Sequence, residues 1–143
     1  MKIVTEFTLY ECADFYVTVK AWPSARFGRD MNKVDGDKWN WNVYAHITEK
    51  HPLFNEPERC KQELYFHCGC TFDQLKTIEP SNGIKYDFQK ITKVRTYGSD
   101  YSHAYDNYDN HASPADGIPS YVLADAETLV SQLKDLTTQR PEN

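Results

Sequence analysis

The stretch that most constrains this chain is Trp39-Asn40-Trp41-Asn42-Val43-Tyr44-Ala45-His46-Ile47-Thr48. Trp41, Val43, Ala45 and Ile47 occupy odd positions and are apolar; Asn42, Tyr44, His46 and Thr48 occupy even positions and are polar. Successive side chains on a β-strand turn to opposite faces. A period of two therefore predicts a strand with one face in a core and the other toward solvent or a ligand. Shorter alternations predict companions. Ile3, Thr5, Phe7 and Leu9 oppose Val4, Glu6, Thr8 and Tyr10. Phe15, Val17, Val19 and Ala21 oppose Tyr16, Thr18, Lys20 and Trp22, with Glu11-Cys12-Ala13-Asp14 as the hairpin turn between the two runs. Residues 23–38 read as a loop on Pro23, Gly28, Gly36 and their charged neighbours. Residues 64–68 and 91–97 predict two more strands, closed by Gly69 and Gly98. Ala126, Leu129, Leu133 and Leu136 mark one face of a C-terminal helix, with Asp125 as its expected N-cap. The sum is an α+β fold: a mainly antiparallel sheet with the C-terminal helix packed on it, one domain over residues 1–143.

Composition removes several function classes. No apolar run approaches the roughly 20 residues that a membrane helix needs. The first residues turn polar at Glu6, unlike a signal peptide. Four cysteines (Cys12, Cys60, Cys68, Cys70) are too few for a disulfide scaffold and read as reduced thiols. These features predict a cytoplasmic protein without a membrane partner. The net charge of -5 predicts no long nucleic acid as partner, because phosphate neutralisation needs a basic surface.

The acidity is local. Residues 96–133 contain no Lys or Arg but six acids: Asp100, Asp106, Asp109, Asp116, Asp125 and Glu127. Removing those six from 21 leaves 15 acids against 16 bases, a net of +1 for the rest. The same segment holds Tyr97, Tyr101, Tyr105, Tyr108 and Tyr121. Asp100, His103 and Asp106 recur every third residue, a spacing that lets them converge on a helix or around a cation. Carboxylates and imidazole together suit a divalent metal ion. The plain alternative is a solvated acidic loop.

Three motifs in order carry a resemblance. His51-Pro52-Leu53-Phe54 follows the tryptophan-rich strand. Then come His67-Cys68-Gly69-Cys70-Thr71-Phe72 and Gly98-Ser99-Asp100-Tyr101-Ser102-His103-Ala104-Tyr105-Asp106. The arrangement resembles a family of small phage and prophage proteins with the pattern His-Pro-Leu-aromatic, His-Gly-Gly-x-Thr-aromatic and Gly-Phe-Asp-x-x-His-x-x-Asp. It spans roughly Trp39 to Leu133 and departs from the pattern at Cys68 and Ser99, which stand where the family has Gly and Phe. The resemblance implies a shared site more than a named reaction. It implies that His67, Asp100, His103 and Asp106 meet as catalytic groups and metal ligands. Such an ion would activate water and polarise a phosphoryl oxygen.

Other constellations are weaker. His46-Ile47-Thr48 and His111-Ala112-Ser113 both fit the His-x-Thr/Ser pattern of two-histidine phosphoesterases, but the second lies in turn-rich sequence. Cys68-Gly69-Cys70 is too closely spaced for a zinc knuckle. Tyr101 and Tyr105 among the acids, with Trp41, are candidates for stacking on a base, and Arg95 for a phosphate contact. His46, His51 and Thr71 join this substrate-binding set as polar residues of the strand and motifs. The reading is a phage-type, metal-dependent hydrolase or phosphodiesterase acting on a nucleotide-derived small molecule, such as an immune signal in the host cytoplasm. The alternative is a protein that binds and sequesters such a nucleotide without cleaving it. Homo-oligomer formation is left open.

Overall fold

The computed structural model describes residues 4–23, 39–67, 69–78, 92–101 and 113–137. Strand β1 (Thr5–Glu11) and β2 (Phe15–Pro23) form a hairpin, closed where the Cys12 amide donates to the Phe15 carbonyl at 2.9 Å. A bulge at Leu9 shifts their register between Thr8 and Tyr10. Strand β3 (Trp39–Thr48) pairs with β2 along its whole length, Phe15 opposite Ile47 and Pro23 opposite Trp39. Helix α1 (Pro57–Glu63) follows, then β4 (Phe72–Ile78), β5 (Thr92–Asp100), a single 3₁₀ turn at Pro114–Asp116, and helix α2 (Ser120–Thr137). The sheet is antiparallel throughout, in the order β1-β2-β3-β5-β4. The α+β expectation therefore holds, with α2 packed on β2, β3 and β1.

One face of the sheet is the core. Val17, Val19, Trp41, Val43, Ala45, Ile47 and Tyr97 point to it and are fully buried. Helix α2 meets them with Val122, Ala126, Leu129, Leu133 and Leu136, an apolar stripe at helical spacing. Pro57 starts α1, where the missing N–H costs nothing. Cys60 anchors that helix in the same core.

Three expected elements differ. Residues 64–67 do not form a strand. Leu64 and Phe66 are buried and Tyr65 is exposed, so the alternation is real. What fills the backbone's bonding is a side chain of α2. Gln132 Oε1 accepts from the Tyr65 amide at 2.8 Å and its Nε2 donates to the Glu63 carbonyl at 3.2 Å. Period-two patterning reports two environments, not a pairing partner. β5 runs on past Gly98 to Asp100. Helix α2 begins at Ser120, so Asp125 lies inside it rather than at its cap. Residues 24–38, most of the expected loop, lie outside the described residues.

Candidate functional site

The open face of the sheet is built from the even positions of β2, β3 and β5. His46 sits at its centre, half-buried between two threonines. Its Nε2 is 2.8 Å from the Thr18 hydroxyl and its Nδ1 2.8 Å from the Thr96 hydroxyl. The Tyr16 ring stacks on the imidazole at 4.2 Å and 12°. Burial, with Lys20 and Lys76 nearby, lowers the His46 pKa to about 4. The ring is therefore neutral at ordinary pH, one nitrogen donating and the other accepting.

Next to it lies an aromatic surface. Tyr44 packs edge-to-face against Phe72 at 5.6 Å, and Lys20 Nζ stands 5.5 Å from the Tyr44 ring centre. The Tyr44 ring lies flat across Gly98. A Cβ there would sit 2.5 Å from Tyr44 Cδ1 and 3.1 Å from the Val43 carbonyl. Glycine at this position makes room for the ring instead of ending the strand. Asn42 Nδ2 donates to the Tyr44 hydroxyl at 2.9 Å, while Asn42 Oδ1 is buried with no partner among the described residues. Asp100 is opposite Asn42 in the β3–β5 register and shares this face. Phe72 is 38% exposed.

The sequence-predicted residues fall in separate places. His46 and Asp100 lie on the open face. His67 lies on the other side, stacked on the Tyr101 ring at 4.6 Å and 14°. Tyr101 is buried, donates its hydroxyl to Asp125 Oδ2 at 2.5 Å, and meets Tyr121 edge-on. The strand's alternation thus turns Asp100 and Tyr101, with His67, to opposite faces. His103, Tyr105 and Asp106 lie outside the described residues, as does His111. Among the described residues, no three of His, Cys, Asp and Glu gather where they could hold a metal ion.

Other candidates serve the fold. Trp41 is 0% exposed, packed against Phe7 and under the sheet, so its ring faces are already covered. His51 is buried: its Nδ1 accepts from the Leu53 amide at 3.0 Å and its Nε2 lies 3.4 Å from the Leu133 carbonyl. The imidazole bolts the 51–54 turn to α2. The Thr71 amide donates to the Gly98 carbonyl at 2.8 Å, continuing the pairing that β4 begins. Arg95 lies six residues from Tyr101, about 20 Å along an extended strand, so the two cannot clasp one small ligand.

Sequence reasoning passed over Tyr16, Lys20, Asn42, Tyr44 and Phe72 as site residues. Four of them occupy the even, polar positions of β2 and β3, so their common face was readable. That β5 carries β4 and Phe72 to the same face was not. Scans against family models, curated proteins and solved structures each returned no match.

Proposed function

We propose that this protein binds a nucleotide-derived small molecule on the open face of its sheet. The observation that carries the reading is Asn42 Oδ1, buried without a partner among the described residues, beside the Tyr44 and Phe72 ring pair. An amide oxygen without a donor is costly to bury, and a base amino group would supply the donor. Rings on a sheet stack on bases. Lys20 and Lys76 act on the same face and suit a phosphate, while the Asp100 carboxylate suits ribose hydroxyls. The acidic balance of the chain fits a compact ligand better than a polyanion.

Calorimetric titration with nucleosides, nucleoside monophosphates, cyclic dinucleotides and ADP-ribose tests this. Binding to at least one is expected, weakened at least tenfold in Tyr44→Ala with the circular dichroism unchanged. No binding by any of them, or equal binding by the variant, contradicts it.

The second reading adds metal-dependent hydrolysis. It rests on the sequence pattern His67, Asp100, His103 and Asp106, of which the described residues place His67 and Asp100 on opposite faces. Incubating the same compounds with and without a chelator, followed by chromatography, separates the readings. Chelator-sensitive cleavage that His103→Ala abolishes supports the enzyme. Ligand recovered intact leaves the sequestering protein.

A further inference from the structure

The two outer strands of the sheet are protected unequally. On β1 the bulge at Leu9 breaks the regular edge, and a bulge is one of the ways a fold keeps its edge from pairing with another chain. β4, the other outer strand, has neither a bulge nor a proline. It pairs with β5 in one unbroken register, from Phe72 opposite Gly98 to Ile78 opposite Thr92. Among the described residues no strand pairs with its outer side, and Phe72 through Thr77 are all exposed. Leu75, in the middle of the strand, is 48% exposed. A regular edge that presents backbone N–H and C=O groups beside exposed apolar side chains is a template for one more strand. The template is also held in place. Lys61 of α1 grips Asp73 Oδ2 at 2.8 Å, so ordering β4 adds little to the cost of association.

The strand that this edge fits is its own copy. A two-fold axis normal to the sheet runs two β4 strands antiparallel and keeps both open faces on one side. Only residues of the same face can then stand opposite each other. With the axis at Leu75 the whole strand pairs. Leu75 meets Leu75 of the second copy on the helix side, Asp73 falls opposite Thr77, and Gln74 falls opposite Lys76. Each charge has an uncharged hydrogen-bonding side chain directly across. The neighbouring registers lose this. An axis at Lys76 sets two ammonium groups against each other, and an axis at Asp73 sets two carboxylates against each other. An axis at Gln74 puts Asp73 against Leu75 and Lys76 against Phe72.

We propose that the protein forms a homodimer in which two β4 strands pair antiparallel about Leu75, joining the two five-stranded sheets into one. The open faces of the two copies become continuous, with Lys76 of each copy beside Gln74 of the other.

Sedimentation velocity of the full chain, without nucleotide and from micromolar to millimolar concentration, tests this. The parent should pass from monomer to dimer. Leu75→Lys and Leu75→Glu each set like charges against each other at the axis and should weaken the dimer at least tenfold. Mixing the two variants should restore a dimer, because unlike charges then meet there. Leu75 is about half exposed, so both variants should keep the parent's circular dichroism. A parent that stays monomeric over the whole range overturns the proposal, including one that takes up an extended peptide of another protein instead. So does a dimer that either variant leaves intact, or a mixture no more associated than its components. Since no nucleotide is present, failure here is distinct from failure of the open-face reading.

Discussion

The two faces of this sheet come from the same strands and obey different physics. On the helix face, β3 presents Trp41, Val43, Ala45 and Ile47 to α2, and stability there comes from removing apolar surface from water. On the open face the same strand presents Asn42, Tyr44 and His46, held by hydrogen bonds, ring contacts and a glycine neighbour. The first face is closed by its partner helix. Among the described residues no element packs over the second, and its Asn42 amide oxygen has no partner. One backbone thus carries an apolar core on one side and, as we propose, a recognition surface on the other.

The contrast can be broken in order of effect. Trp41→Ala removes the largest fully buried side chain of the helix face and should cost about 3–5 kcal/mol in denaturant unfolding. A cost below 1 kcal/mol would mean the face is loosely packed. The open face should answer to pH instead. His46 has a folded pKa of about 4 against 6.5 unfolded, so the unfolded chain binds more protons between those values. Its contribution is complete above pH 6.5 and falls as the pH drops toward 4, by up to about 3 kcal/mol. Unfolding curves of the parent and His46→Gln across that range should show a steeper slope in the parent.

Gly98→Ala should cost about 1–3 kcal/mol by driving a Cβ into the Tyr44 ring. It should also weaken nucleotide binding, which a purely structural ring would not do. Tyr101→Phe removes the bond to Asp125 and should cost about 1–2 kcal/mol, with ligand affinity unchanged because that pair lies on the helix side. Thermal melts and calorimetry read both outcomes.

Legibility in the sequence followed burial. β2, β3 and α2 were readable because each buries one side and exposes the other. β4 left no trace, since Phe72 through Thr77 are exposed on both sides and alternation then encodes nothing. Gly98 was misread because glycine's commonest message is a strand end, whereas here the absent Cβ accommodates a ring from the neighbouring strand. His67 and Asp100 were each legible as polar residues near strand ends. Which face each would take depended on the 64–67 segment joining α2 through Gln132 instead of the sheet, and no local pattern carries that. The local excess of acid over residues 96–133 was legible as composition, but only its ends, at Tyr101 and from Ser113, fall within the described residues beyond β5.

The most direct test of the open-face account is amide chemical-shift mapping during titration with the tightest-binding nucleotide. The account predicts the largest shifts at Lys20, Asn42, Tyr44, Phe72 and Asp100, with contacts from ligand protons to the Tyr44 ring. Shifts confined to α2 and the residues around His67, with the open face silent, would contradict it.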